Sequence, residues 1–173
     1  SREGRSVMTL RAGLAGLGMM GRHHKRLLSQ LEGVDFVGVF DPALDNNSFA
    51  DDVPVFGTMQ ELLAQKLDYC VVAAPTMFHL ELGLQLAAAG VHALIEKPVA
   101  TNPPEAEQLV NAFAIANLIG GVGHIERFNP ALRAMRTKIE EGLIGEIFQI
   151  STRRQGPFPA RIADVGVIKD LAT

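Results

Sequence analysis

The chain opens, after a short polar start, on an apolar run from Leu10 to Ala15 that stops in Gly16-Leu17-Gly18-Met19-Met20-Gly21. A run this short, ended by glycines, predicts a buried strand. A helical period follows, with Met20, Leu27, Leu28 and Leu31 on one side and Arg22, Lys25, Arg26 and Gln30 on the other. Val34 to Phe40 alternates and ends at Asp41-Pro42, a second strand closed by a turn. Asp45 to Asp52 has no hydrophobic period and reads as a loop. Thr58-Met59-Gln60-Glu61 has the spacing of a capping box, so a short helix begins there. Asp68 to Ala74 reads as a third strand, broken by Pro75-Thr76, and Phe78 to Ala89 as a helix that Gly90 can end in a left-handed conformation. Val91 to Glu96 makes a fourth strand. Asn102, Pro103 and Glu105 then supply the cap, first position and first-turn acid of a helix running to about Asn117. Leu118 to Gly123 reads as a fifth strand.

Strand and helix thus alternate through the first 123 residues. That order predicts an α/β fold, a doubly wound parallel sheet with helices on both faces. From His124 the pattern changes. Pro130 to Glu141 is an amphipathic helix ending near Gly142, Glu146 to Arg154 alternates like a half-exposed antiparallel strand, and Gly156-Pro157-Phe158-Pro159 is a stiff loop before a mixed stretch from Ile162 to Thr173. We therefore expect a dinucleotide-sized domain over residues 8–123 and the incomplete start of a second domain over 124–173. The latter's 50 residues are too few for a robust core of their own. Residues 1–7 precede a plausible initiator at Met8 and are left out of the fold.

Charge and composition narrow the partners. A net charge of −3 with 47% hydrophobic residues gives no electrostatic reason to seek nucleic acid or an anionic membrane, and leaves a small molecule as the expected partner. The single cysteine, Cys70, lies in an apolar run and reads as a core residue in a reducing, cytoplasmic setting. The stretch Val7 to Gly21 has a superficial likeness to a secretory signal, but Arg11 interrupts it and no small-x-small cleavage site follows. No apolar run approaches the roughly 20 residues of a membrane-spanning helix.

Gly16, Gly18 and Gly21 follow a strand and open a helix, which is the context that gives G-x-G-x-x-G its mechanics. Gly16 permits a tight turn, Gly18 lets the backbone approach a pyrophosphate, and Gly21 lets helix pack on strand. The helix start at Met19 and Met20 adds unpaired N–H groups and a positive end. Asp41 lies 20 residues beyond Gly21, the distance expected of the acid that binds the adenosine ribose. Its carboxylate would repel a 2′-phosphate and no Arg follows it, so NAD is expected over NADP.

Other polar residues fall just past strand ends, where open α/β sheets bind ligands: Pro75, Thr76 and His79 after the third strand, Glu96 and Lys97 after the fourth, His124 after the fifth. A Lys beside a nicotinamide could relay a substrate hydroxyl's proton, which makes Lys97 the catalytic candidate. His23, His24, Lys25 and Arg26 form a basic cluster that could help hold pyrophosphate, but reads first as a solvated helix face. Arg153-Arg154 reads as an exposed strand edge. Neither His23 nor His24 has a partner at metal-ligand spacing, five scattered histidines do not make a metal enzyme, and one cysteine excludes a cysteine-based zinc site, so no metal is expected.

Gly16-Leu17-Gly18-Met19-Met20-Gly21, Ala74-Pro75-Thr76-Met77-Phe78-His79 and Glu96-Lys97-Pro98, in that order, resemble the glucose–fructose oxidoreductase, inositol dehydrogenase and rhizopine-catabolism (Gfo/Idh/MocA) family. The resemblance covers residues 8–173. It implies a Rossmann domain, a nicotinamide-dependent dehydrogenase acting on a sugar or cyclitol hydroxyl, and a second α/β domain carrying substrate contacts and a homo-oligomer interface. By position it implies that Gly16, Gly18 and Gly21 bind pyrophosphate and Asp41 the adenosine ribose, that Thr76, His79 and Glu96 line the nicotinamide side, and that Lys97 faces the reacting hydroxyl. Gly123-His124-Ile125-Glu126-Arg127-Phe128-Asn129-Pro130 looks like the branch that oxidises nucleotide-linked amino sugars, such as UDP-N-acetylglucosamine at its 3-position, which makes His124, Arg127 and Asn129 substrate candidates. Gly156-Pro157-Phe158-Pro159 and Asp164-Val165-Gly166-Val167 are similar to that branch too. The family's catalytic D-x-x-x-H begins here at Asp170, but the sequence reaches only Thr173. A fragment is therefore expected, with doubtful activity in isolation.

A short-chain dehydrogenase would need Tyr-x-x-x-Lys, and four residues beyond the one tyrosine, Tyr69, stands Ala73. A methyltransferase would give Glu96-Lys97-Pro98 no role. A nonenzymatic redox-sensing dinucleotide module would use the same glycine loop without needing Lys97.

Overall fold

The computed structural model describes residues 8–44, 49, 50 and 52–153. Contacts divide the chain into two compact units, Ser1–Val122 and Gly123–Thr173. In the first, the strands β1 (Leu10–Ala15), β2 (Val34–Phe40), β3 (Phe49–Ala50), β4 (Val53–Phe56), β5 (Tyr69–Val72), β6 (His92–Ile95) and β7 (Gly120–Val122) make one sheet in the order β3-β4-β2-β1-β5-β6-β7. All neighbours pair in parallel except β3 with β4. The sheet carries α1 (Met19–Leu28), α2 (Met59–Leu63), α3 (His79–Ala88) and α4 (Pro103–Ile115).

The strand order fixes the helix layers. Right-handed crossovers that step from β1 to β2 put their helix on one face, while those stepping the other way, from β4 to β5 and on to β6 and β7, put theirs on the opposite face. The buried residues divide accordingly. Ala12 and Leu14 of β1, Val39 of β2 and Val71 of β5 pack with Leu28 of α1. Ala15, Cys70, Val72 and Ile95 pack with Met59 and Leu62 of α2, Leu82 and Leu86 of α3, and Leu109 and Phe113 of α4. Successive residues of one strand serve opposite cores, as the pleat requires. This is the doubly wound α/β sheet expected of the alternating pattern. Cys70 is fully buried, and burial pushes its thiol up to about 12.

Local signals set several boundaries as predicted. Thr58 Oγ1 accepts the Glu61 N–H at 3.2 Å while Glu61 Oε2 accepts the Thr58 N–H at 3.0 Å, so both halves of the capping box form. Asn102 caps α4 by accepting the Glu105 N–H at 3.0 Å. Gly90 follows α3 at φ +74°.

Three expectations need correction. Val53–Phe56 is a strand, for which the loop reading of the preceding segment left no place; it pairs with β2 through Val39–Val55 and Phe40–Phe56. Pro54 masks it in the sequence, yet Pro54 lies outside the residues that pair with β2, which are Val55 and Phe56, so that ladder does not need its N–H. Of the expected apolar side of α1, Leu28 does face the sheet, with Gly21, but Leu27 and, beyond the end of the helix, Leu31 are exposed. Finally, residues 146–153 pair with no strand among the described residues, so the expected antiparallel strand does not form there. An alternating segment becomes a strand only when a neighbour takes up its backbone hydrogen bonds.

The second unit contains a short 3-10 turn (Ile125–Phe128) and α5 (Pro130–Glu140). Arg154, the 156–159 loop, Asp164-Val165-Gly166-Val167 and Asp170 lie outside the described residues.

Candidate cofactor and catalytic site

The strand order reverses at β1 and β5, and the loops leaving the carboxyl ends of β1, β2, β5 and β6 carry the predicted residues of the first unit. The glycine turn comes first. Gly16 has φ +95°, and a Cβ there would lie 2.7 Å from the Ala74 nitrogen and 2.8 Å from the Ala73 carbonyl. A Cβ at Gly21 would run into the Gly16 carbonyl oxygen. These two glycines are required by the chain's own packing. Gly18 is different. Nothing lies within 4 Å of where its Cβ would be, and its φ of −65° suits any residue. The room beside it is what a phosphate needs to approach the backbone. The N–H groups of Met19, Met20 and Gly21 begin α1 without intrahelical acceptors, no side chain caps them, and no acid stands in the first turn. An anion is the natural partner of such a helix end, and the residues fit a dinucleotide pyrophosphate.

Asp41, at the end of β2, closes this turn. Its Oδ2 accepts the Leu17 N–H at 2.8 Å and its Oδ1 the Ala43 N–H at 2.9 Å. A carboxylate offers about four acceptor positions, so the two bonds orient Asp41 and leave capacity for a ribose hydroxyl.

Past β5, Pro75 precedes a 3-10 turn, Thr76–Phe78, in which Thr76 is buried. His79 opens α3 and is 1% exposed. Its Nε2 lies 2.8 Å from the Ala74 carbonyl oxygen and its Nδ1 3.0 Å from that of Pro98. Both ring nitrogens thus face backbone oxygens, and the ring ties the loop after β5 to the loop after β6. Past β6, Glu96 is 5% exposed, Lys97 is half-buried, and the Lys97–Pro98 peptide is cis. Glu96 Oε1 meets His24 Nε2 at 2.7 Å, and Oε2 accepts the Lys97 N–H at 3.2 Å. Burial by itself would raise the Glu96 carboxyl; the hydrogen bond and charge of His24, with the Lys97 amide and ammonium, outweigh it and hold the carboxyl below its usual value.

His24 is the residue that the sequence reading misplaced. It was expected on a solvated face with His23, Lys25 and Arg26, but only 13% of its side chain is exposed. A signal existed: His24 stands three residues after Gly21 and four before Leu28, the two α1 residues buried against the sheet. His23, Arg22 and Arg26 are exposed as expected.

In the second unit His124 and Arg127 are exposed. Asn129 caps α5, its Oδ1 accepting the Ala131 N–H at 3.0 Å while its Nδ2 donates to Glu126 Oε2 at 3.1 Å. Among the described residues no cluster of three or more His, Cys, Asp or Glu is placed to hold a metal ion, and no helix is long and apolar enough to cross a membrane.

The sheet, the open Gly18 and the acid at the end of β2 define a dinucleotide-binding protein. Residues 10–124 match the Gfo/Idh/MocA oxidoreductase family with its NAD-binding Rossmann fold, and the chain belongs to this family. UDP-N-acetylglucosamine 3-dehydrogenase of Acidithiobacillus ferrooxidans is 31% identical over 171 residues, 95% of this chain and 51% of that enzyme. The rhizopine catabolism protein MocA of Rhizobium meliloti is 28% identical over 82% of this chain and 45% of its own. The crystal structure of the WlbA dehydrogenase from Bordetella pertussis, in complex with NADH and UDP-GlcNAcA, matches with a TM-score of 0.73 at 28% identity, over 79% of this chain and 43% of that one. The chain spans about half the length of the curated relatives it matches.

Proposed function

We propose that this chain is the NAD-binding and proton-handling part of a dehydrogenase that oxidises a sugar hydroxyl, with a nucleotide-linked amino sugar as substrate class. The observation that carries the reading is the meeting of an open Gly18, an oriented Asp41 and the Glu96-Lys97-Pro98 loop around one sheet edge. The amino-sugar assignment rests on likeness to the Acidithiobacillus enzyme and the Bordetella structure.

Bound here, NAD supplies the hydride acceptor. Gly18 and the N–H groups of Met19, Met20 and Gly21 would hold the pyrophosphate, and Asp41 the adenosine ribose. Its carboxylate favours NAD over NADP by repelling a 2′-phosphate. Pro75, Thr76 and Glu96 would border the nicotinamide half, with His79 holding their two loops together. Lys97 would take the hydroxyl proton as the carbinol hydrogen leaves as hydride, so the substrate loses two electrons and one proton passes to the lysine. Asp170 would assist that proton, and His124 and Arg127 would contact the nucleotide-linked sugar; Asn129, already engaged as a helix cap, would support them. The longer protein would work in the cytoplasm as a homo-oligomer.

The test is a fluorescence titration of the chain with NADH and NADPH in parallel, followed by NAD reduction assays on the full-length protein with UDP-amino sugars, free sugars and cyclitols. Preferred NADH binding, with turnover on a nucleotide sugar that Lys97→Met abolishes at nearly unchanged NADH affinity, is expected. Turnover retained in Lys97→Met removes the lysine from the chemistry. NADH binding without turnover on any substrate favours a redox-sensing module.

A further inference from the structure

Resting on the cofactor reading above, we infer that His24 is a positioning residue for the nicotinamide half of the dinucleotide, acting through Glu96. The two are 72 positions apart in sequence, and their Nε2–Oε1 separation is 2.7 Å with side chains 13% and 7% exposed. Each belongs to a different part of the site. His24 is on α1, whose first N–H groups face the phosphate position; Glu96 ends β6 and starts the loop that carries Lys97.

One carboxylate therefore joins two loops' worth of machinery. Glu96 Oε1 is on His24, Oε2 is on the Lys97 N–H, and the Glu96 N–H donates to the Val72 carbonyl of β5 at 2.9 Å. Take the imidazole away and a nearly buried carboxylate loses its charge-assisted partner. It must then rotate toward water, which releases the Lys97 amide, or take up a proton, which weakens the amide's bond to the carboxyl.

The direction of the effect follows from the topology. Asp41 at the end of β2 puts the adenosine on the β2 side of the switch point, so the second nucleoside lies across β5 and β6. The adenosine half rests on Gly18, the start of α1, and Asp41, which Leu17 and Ala43 hold. The nicotinamide half borders Glu96. A role in stability alone accounts poorly for the pair, because a buried ion pair is weak evidence of stabilisation and an apolar contact would pack this helix on the sheet as well.

The experiment uses this chain and two ligands: NADH, followed by fluorescence, and ADP-ribose, which has the adenosine and pyrophosphate but no nicotinamide, followed by calorimetry. The variants are His24→Ala, which removes the donor, and His24→Gln, which restores an N–H toward Glu96. We expect His24→Ala to weaken NADH by about tenfold, with loss of the emission enhancement of the bound nicotinamide. ADP-ribose affinity should stay within about twofold, and His24→Gln should recover most of the NADH loss. Equal losses for both ligands, or no loss for either, overturn the inference and leave the cofactor reading standing. Wild-type chain that binds neither ligand overturns the cofactor reading and the inference with it. If thermal melts show His24→Ala unfolded, His24→Phe, which keeps the ring's volume without a donor, replaces it under the same expectations.

Discussion

The Asp41 carboxylate accepts the backbone N–H of Leu17 at 2.8 Å, so the acid that ends β2 also holds the middle of the glycine turn after β1. In the proposed site a single side chain would thus serve both loop geometry and cofactor choice. Asp41→Ala is expected to weaken NADH by about tenfold and to abolish its preference over NADPH, since loss of an ionic acceptor costs about 1.5–3 kcal/mol. Parallel titrations with the two cofactors check both effects.

The three glycines of the turn separate stability from binding. Gly18→Ala should fold with stability within about 0.5 kcal/mol of wild type, because its Cβ meets nothing, yet bind NADH poorly because the methyl occupies the ligand's room. Gly16→Ala should lose about 2 kcal/mol by placing a side chain at φ +95° against the Ala73–Ala74 peptide. Urea unfolding and NADH titration on the same preparations distinguish the two.

Acid should withdraw the stability that rests on the ionised Glu96. Its carboxyl is held below the usual value, against burial, by His24 and Lys97. The unfolded chain therefore takes up this proton first as pH falls. The stabilisation is complete above the ordinary glutamate range and fades as pH drops through it toward the lowered value. Between about pH 5.5 and about pH 3.5 the urea midpoint of wild type should fall by more than that of Glu96→Gln. Equal falls would show that other carboxylates account for the loss.

His79 bridges two carbonyls that belong to different loops, those of Ala74 and Pro98. His79→Ala is expected to cost about 2 kcal/mol and to weaken NADH, because the loops after β5 and β6 then lose their common tie. A midpoint unchanged in urea would assign the ring no structural part.

The turn and cap chemistry was legible in the sequence because it is local. G-x-G-x-x-G, the Thr58–Glu61 capping box and the Asn102 cap each act over a few residues, and the chain folds there as their spacing demands. The strand Val53–Phe56 was not legible. Its four residues include Pro54, and only pairing with β2 makes them a strand. The solvated reading of His24 failed for a related reason. The α1 face that meets the sheet is marked by Gly21 and Leu28, whereas the apolar Leu27 and Leu31 that suggested the opposite face are exposed.

By itself, then, the sequence determined what depends on residue type and short spacing: alternating strands and helices, a glycine turn left open at Gly18, an acid 20 residues beyond Gly21, and a buried Cys70. Tertiary structure alone decided the partnerships across the sheet. Strand order brings α1 beside the end of β6, so that His24 reaches Glu96 over 72 positions, and sets His79 between Ala74 and Pro98. Such contacts have no local spacing to betray them, because the distance between their residues is fixed by crossover direction and sheet register.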